Sequence, residues 1–418
     1  MPKWITDRLA TASYYEGPLC GDAAGSILID VRELLDKEGN DPGLLRAKIS
    51  LAEEAIGQGK SVVVSCDRGV SRSNAIALGV LMASGMPFAA SMRLVREKIG
   101  AIEINLGLLR EVRALFEPCL SGKRASSENL LITGSKGFVG SALVSALATP
   151  YNTACLGRED LDLTADLQLL DAYIASKQIG FVLHLAHPRM RNNTSALPEA
   201  LAMMRNILEV CRLNGIGVLF LSSLAVFSGH ISNEVLEAGS SLEPQPKGLY
   251  GETKFLCEEL IRTFRANYGI EAIVLRPAAL YGIGMGRGTF LSKFVEADRR
   301  GNTIYTHRYR NGSPVFDFLH ISDLVAAIER ALVVKPAVPV NLGTGVGTST
   351  YDLARKIAEV TGSSSSVETI DIRDETCKVI AGRQEAEDLL GWRAKIDLDA
   401  GLRELCQDAH APRSIAVS

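Results

Sequence analysis

The chain has 418 residues, 47% of them apolar and 22% charged, and a formal net charge of −3. That is the composition of a soluble globular protein with chain enough for two or three domains. The lack of a basic bias or polybasic patch argues against nucleic acid and anionic membranes as partners. No apolar run reaches about 18 residues, so no membrane span is expected. The N-terminal residues include Asp7 and Arg8 and carry no apolar stretch, unlike a secretory signal. The eight cysteines lack any Cys-x-x-Cys pair and the six histidines do not cluster, which predicts no metal site and reduced thiols in a cytoplasmic setting.

In chain order, Ser26–Asp30 and Ser61–Ser65 are short β-branched runs that predict buried strands. Leu44–Ile56 has helical spacing, and three helices are expected over 71–85, 87–99 and 105–117. Between the second strand and the first of these three lies Ser65-Cys-Asp-Arg-Gly-Val-Ser-Arg-Ser73, a Cys-x5-Arg sequence. A loop leading from a strand end into a helix points its amides inward as an anion nest, here formed by Asp67, Arg68, Gly69, Val70, Ser71, Arg72 and Ser73. The same helix end favours a thiolate at Cys66, making it a nucleophile. Arg72 can grip two phosphate oxygens, and Ser73 can hydrogen-bond the departing thiolate. Residues 1 to about 118 resemble the dual-specificity branch of the protein tyrosine phosphatases, and Pro87–Lys98 and Asn105–Phe116 are similar to that family's post-loop helices. The resemblance implies a cysteine-dependent phosphatase with an aspartic general acid about thirty residues upstream of Cys66. Asp36 fits that separation, Asp41 is the alternative, and Asp30 falls within a strand. Ser65 stands where the family has a histidine, and the segment before residue 60 is short, so a phosphate-binding or regulatory module is the other reading.

Ser121–Glu128 is small, polar and charged and reads as a linker, dividing the chain into domains over 1–119 and 129–412 with 120–128 between them. Strand–helix alternation follows: strand 130–133, helix 139–148, strand 152–156, helix 167–177, strand 181–185, helix 198–213, strand 217–222. This predicts a parallel sheet covered on both faces. The first strand runs into Gly134, Gly137 and Gly140, spaced for a tight turn, close approach to a pyrophosphate and helix–strand packing. With Ser135, Lys136, Phe138 and Val139 they form the expected dinucleotide loop. Arg158 stands after the second strand, where a carboxylate would select NAD. An arginine there can pair with a 2′-phosphate, so NADP is favoured over NAD, the alternative being that Asp160 contacts the ribose.

Phe220–Gly229 is an apolar strand ending in Ser222 and Ser223, and Lys247–Lys254 opens a helix. Tyr250 and Lys254 are four residues apart and share one helix face. A tyrosine hydroxyl is a poor base at neutral pH, and a nearby ammonium stabilises its anion. Ser223 can then hold a substrate oxygen beside Tyr250. Residues 129 to about 395 resemble the extended short-chain dehydrogenase/reductases, the sugar-nucleotide epimerase and reductase family. The matches are Thr133–Gly140, His184-Leu-Ala186, Ser222–Phe227, Tyr250–Lys254, Leu275-Arg-Pro277 with Tyr281-Gly282, Asn341–Gly345 and Leu389–Trp392. The resemblance implies a Rossmann-type doubly wound α/β domain with a smaller C-terminal substrate subdomain. It also implies Ser223, Tyr250 and Lys254 as catalytic residues, Ala186, Tyr250 and Lys254 at the cofactor, a sugar substrate and a possible homodimer.

Leu224 and Ala225 replace the Asp-Glu pair of the family's dehydratases, which argues against dehydration. Phe316 stands where an arginine often precedes Asp317-Phe318, and Arg308 or Arg310 could substitute. Asp160–Asp166 is similar to the corresponding stretch of NADP-using 4-keto-sugar reductases. Two readings follow: a bifunctional sugar epimerase or reductase and phosphatase, the latter acting on a phosphorylated small molecule or protein, or a phosphatase governed by a nicotinamide sensor. His184 and His187 are expected to be structural or cofactor-adjacent, and Cys211 and Cys257 to be buried.

Overall fold

Val62, Val63 and Val64 are all buried and form the central strand of an N-terminal sheet. The computed structural model describes residues 1–15, 26–100, 104–116, 126–165, 167–188, 193–239 and 241–410. Its contacts separate two units, Met1–Ala125 with Leu167–Gln178, and Ser126–Asp166 with Ile179–Ser418.

The first unit contains β1 (Lys3–Trp4), β2 (Leu9–Ser13), β3 (Ser26–Asp30), α1 (Pro42–Gly57), β4 (Ser61–Cys66), α2 (Arg72–Ala83), α3 (Phe88–Ile99) and α4 (Leu106–Ala114). The sheet order among the described residues is β1-β2-β4-β3, with β4 parallel to both β2 and β3 and β1 antiparallel to β2. The sequence gives no sign of β2, because Leu-Ala-Thr-Ala-Ser has no β-branched run. Its burial comes from pairing with β4, where Ala10 and Ala12 pack on Val63. Asp41 caps α1, accepting from the Gly43 and Leu44 amides at 3.2 and 3.1 Å, with Pro42 in the first turn.

The second unit opens with β5 (Ser126–Thr133), α5 (Phe138–Leu147) and β6 (Asn152–Leu156). β5 starts inside the expected linker, whose residues 120–125 lie outside the described ones. Ladder hydrogen bonds use the backbone, so polar Ser126 can pair with Ile179 without an apolar side chain. α6 (Leu167–Ser176) comes next in sequence but belongs by contacts to the first unit, where Asp171 pairs with Arg110 at 3.5 Å. Then follow β7 (Ile179–His184), α7 (Ala196–Asn214), β8 (Gly217–Leu221), a 3-10 turn (Leu224–Phe227), β9 (Leu236–Ala238), α8 (Leu249–Tyr268) and β10 (Ala272–Pro277). The C-terminal part carries β11 (Ala279–Tyr281), α9 (Phe290–Arg299), β12 (Ile304–Arg308), β13 (Val315–His320), α10 (Ile321–Val334) and β14 (Val340–Leu342). It ends with β15 (Gly347–Ser349), α11 (Thr350–Thr361), β16 (Val367–Asp371), β17 (Val379–Ala381), α12 (Arg383–Leu390) and α13 (Leu398–His410).

The main sheet has the order β14-β10-β8-β7-β5-β6, every described pair parallel. Its core joins strand residues such as Ile132, Leu183, Leu219 and Leu275 to Leu143 of α5 and Leu324 of α10. A second core gathers Tyr281, Phe294, Ile304, Phe318, Leu353 and Leu402, giving the C-terminal part its own packing centre. The chain goes from β5 to β6 on one side and returns to β7 on the other. The strand order therefore reverses at β5, where ligands of open α/β sheets bind beyond the strands' carboxyl ends.

Candidate functional site

Thr133 ends β5, and its hydroxyl meets His184 Nδ1 at 2.9 Å and accepts from the Ala186 amide at 3.3 Å. The turn beyond β5 thus lies directly against the end of β7. Gly134 has φ +70°, and a side chain there would put Cβ 2.8 Å from the Ala186 nitrogen. At Gly140 a Cβ would fall 2.3 Å from the Gly134 carbonyl oxygen, so this glycine lets α5 close on the loop. Gly137 is the N-cap of α5 and makes no side-chain capping bond, so the first-turn amides carry no side-chain cap. The loop thus presents backbone donors at a helix amino end with no Cβ in the way, the geometry expected of an anion site.

Beyond the loop, Arg158 pairs with Glu199 at 2.5 Å, and Lys136 pairs with Glu159. The Asp160 carboxylate turns back to accept from the Gly157 amide at 2.8 Å. Asp160 therefore shapes the turn after β6. Asp166, the end of the stretch similar to NADP-using reductases, lies outside the described residues.

The expected catalytic residues converge at the same edge of the sheet. Ser223 follows β8 and caps the 3-10 turn, its Oγ accepting from the Ala225 amide at 3.1 Å. Tyr250 and Lys254 lie in the first turns of α8. The buried Lys254 ammonium donates to the Leu221 carbonyl at 2.6 Å and sits 4.7 Å from the Phe220 ring centroid. The His187 and Tyr250 rings are 5.3 Å apart between centroids, which places His187 beside the first turn of α8. Gly251 makes the approach possible: a Cβ there would lie 2.5 Å from the Ala225 carbonyl oxygen, in the turn that Ser223 begins. Sequence reading passed over Gly251, although a glycine this close to a helix start costs helix propensity and so asks for a packing reason. Arg276, within the Leu275-Arg-Pro277 match, forms with Glu258 a buried guanidinium–carboxylate pair at 2.5 Å that the sequence does not announce. The available signal was Glu258, four residues after Lys254.

In the first unit, β4 delivers Cys66 and the loop residues to the amino end of α2. Cys66 Sγ is 3.3 Å from Ser73 Oγ and accepts from the Gly69 amide at 3.3 Å. Burial pushes the thiol up, but the hydrogen bond with Ser73 and the amides of Ser73, Gly69 and Arg68 outweigh it, and the net displacement is downward. By contrast, burial pushes the Cys211 and Cys257 thiols up, Cys257 to about 11. Arg72 donates to the carbonyls of Arg32 at 2.7 Å and Leu34 at 3.2 Å and pairs with Asp67, bracing the 32–34 segment. Asp36 accepts from the Ser71 hydroxyl, which itself accepts from the Asn105 amide at 3.0 Å, so Asp36 sits at the loop. Asp41 is spent on capping α1, and Asp30, at the end of β3, grips Arg32 at 2.8 Å. Among the described residues, no group of three His, Cys, Asp or Glu is arranged to hold a metal, and no helix is long and apolar enough to cross a membrane.

The profile of the NAD dependent epimerase/dehydratase family matches residues 130–343, just over half of the chain. The chain is similar to a UDP-glucose 4-epimerase of Rhizobium meliloti, 24% identical over 332 residues that cover 69% of this chain and 98% of the relative. Among solved structures, MoeE5 in complex with UDP-glucuronic acid and NAD is 27% identical, with a TM-score of 0.58 over 68% of this chain and 100% of that one. RMD from Pseudomonas aeruginosa complexed with NADPH, 22% identical, shares the fold, with a TM-score of 0.60 over 67% of this chain and 98% of that one.

Two consequences are measurable. Gly251→Ala should lower stability by about 1–3 kcal/mol through overpacking, although alanine is the better helix former; denaturant unfolding that shows a gain would refute the close packing. Burial, reinforced by the charges of Lys254 and His187, lowers His184 to about 3 from 6.5. Below pH 6.5 the unfolded chain takes up a proton that the folded chain refuses, so stability is full above that pH and falls as pH drops towards 3. Between pH 7 and 5 the loss should be about 2 kcal/mol. His184→Asn should flatten that slope, and an unchanged slope would assign it to other groups.

Proposed function

Because the match over residues 130–343 makes the chain a member of the NAD dependent epimerase/dehydratase family, we propose that its second unit is an NAD(P)-dependent epimerase or 4-keto-reductase of a nucleotide-linked sugar. The observation that carries this is the convergence at one sheet edge of the uncapped glycine loop, the Ser223 turn and the Tyr250/Lys254 face. Gly134, Gly137, Gly140 and the first-turn amides of α5 would hold the pyrophosphate. When bound, the dinucleotide supplies a nicotinamide that exchanges a hydride with the sugar carbon. Tyr250 takes or returns the proton of the sugar hydroxyl, Ser223 holds the same oxygen, and the Lys254 ammonium stabilises the tyrosinate. Leu224 and Ala225, following Ser223, offer no acid for dehydration. In this reading Arg158 exchanges its pairing with Glu199 for the 2′-phosphate of NADP.

A second activity is favoured by the lowered Cys66 thiol beside Gly69 and Ser73. In this reading the first unit is a cysteine-dependent phosphatase. Cys66 attacks phosphorus, the loop amides and Arg72 bind the phosphate oxygens, and Asp36 protonates the leaving oxygen. The six described cysteines are all free thiols, which fits a reducing, cytoplasmic compartment.

Tyr250→Phe should lower kcat for interconversion or reduction of UDP-sugars by about 100-fold or more while leaving NADPH and NADH affinity intact. Equal turnover would remove Tyr250 from the chemistry. Mass spectrometry of nucleotide released on denaturation divides the two forms: retained NAD supports an epimerase, whereas an empty site preferring NADPH supports a reductase. For the first unit, Cys66→Ser should abolish phosphate release from para-nitrophenyl phosphate, and Asp36→Asn should slow it about 100-fold. If wild-type protein releases no phosphate while NADPH titrates normally, the loop is a binding or regulatory module.

A further inference from the structure

Three buried polar residues beneath the reacting set have no part in the chemistry above. Glu258 lies on the same face of α8 as Lys254, one turn on, and is 6% exposed. Its two oxygens accept from Arg276 Nε at 3.1 Å each and one also from Nη2 at 2.5 Å, while the other accepts from the Ser222 hydroxyl. Arg276 belongs to β10, whose Leu275 pairs with Leu221 of β8 and accepts from the Ser222 amide at 2.7 Å. The Arg276 guanidinium carbon also lies 5.3 Å from the Phe227 ring centroid.

A buried ion pair gives little net stability, because desolvation consumes most of the Coulomb gain, and apolar residues of like volume often serve as well. A bidentate guanidinium–carboxylate contact, in contrast, tolerates little change of geometry. Here the pair touches both ends of one short segment: Ser222 precedes Ser223, and Phe227 closes the turn that Ser223 opens. Lys254 and Glu258, on successive helical turns, tether the consecutive residues Leu221 and Ser222. We infer that the Ser222–Glu258–Arg276 network is a positioning device that locks the Ser223 turn in register with the Tyr250/Lys254 face. The inference rests on the reading of Ser223, Tyr250 and Lys254 as the reacting set.

The test uses the full chain with two variants, Ser222→Ala and the double variant Glu258→Met with Arg276→Met, which leaves no unpaired buried charge. Hydrogen–deuterium exchange is followed over 222–228, and kcat and KM are measured with UDP-glucose as the probe. Positioning predicts faster exchange confined to 222–228, with the glycine loop and strand 217–221 unchanged and NADPH or NADH affinity retained. It also predicts a kcat at least about 10-fold lower with KM little changed. Exchange over 222–228 equal to wild type, or raised uniformly across the sheet, would overturn the inference in favour of a merely structural pair. If the double variant does not fold, Ser222→Ala decides. If wild-type protein does not convert UDP-glucose, the functional reading fails on that substrate, and the exchange pattern still judges the positioning.

Discussion

In a parallel sheet every strand ends on the same edge, and here β5, β7 and β8 end side by side. That geometry places the glycine loop, the His184–Ala186 segment and the Ser223 turn on three successive strand ends, each about 4.8 Å from the next. The helix that carries Tyr250 and Lys254 then has to be drawn onto this edge. Two contacts draw it in: the Lys254 ammonium on the Leu221 carbonyl and the Glu258 carboxylate on the Ser222 hydroxyl. Together with the close packing of Gly251 on the Ala225 carbonyl, they fix the Tyr250/Lys254 face of α8 relative to Ser223.

The buried charges around this edge are managed unequally. Arg276 and Glu258 neutralise one another with several hydrogen bonds each, which is the condition under which burial is tolerable. His184 is instead kept uncharged by burial and by the nearby Lys254, and keeps the hydrogen bond between Nδ1 and the Thr133 hydroxyl. A positive His184 beside Lys254 would compete with it for the same electrostatic environment. A neutral imidazole leaves the lysine as the cation next to the tyrosine.

The first unit solves a related problem with the same parts. A buried parallel strand, β4, ends in Cys66, and the amides between it and α2 point at the sulfur. Burial alone would make this an inert thiol like Cys211 and Cys257; the surrounding donors reverse the sign. Both units thus turn from a parallel strand into a helix with backbone amides at the helix start, one with glycines that clear the backbone and one with a cysteine among the donors.

Alternating β-branched and amphipathic segments were enough to read the parallel sheet from the sequence. So were the glycine spacing for the loop after β5 and the i, i+4 pairing of Tyr250 with Lys254, because these depend on local periodicity and chain-neighbour geometry. β2 was not legible, since its alanines and serine are buried only by their partner strand. Nor were the roles of Gly251, Ser222, Glu258 and Arg276. Each depends on a neighbour from another element, 26 residues away for Gly251 and Ala225 and 18 for Arg276 and Glu258. Asp36 fits the expected separation from Cys66 in sequence and Asp41 is the alternative; in the fold Asp36 accepts from the Ser71 hydroxyl, whereas Asp41 caps α1. Local sequence sets which backbone shapes and helix faces form, and tertiary packing alone decides which side chains from distant elements share a hydrogen bond.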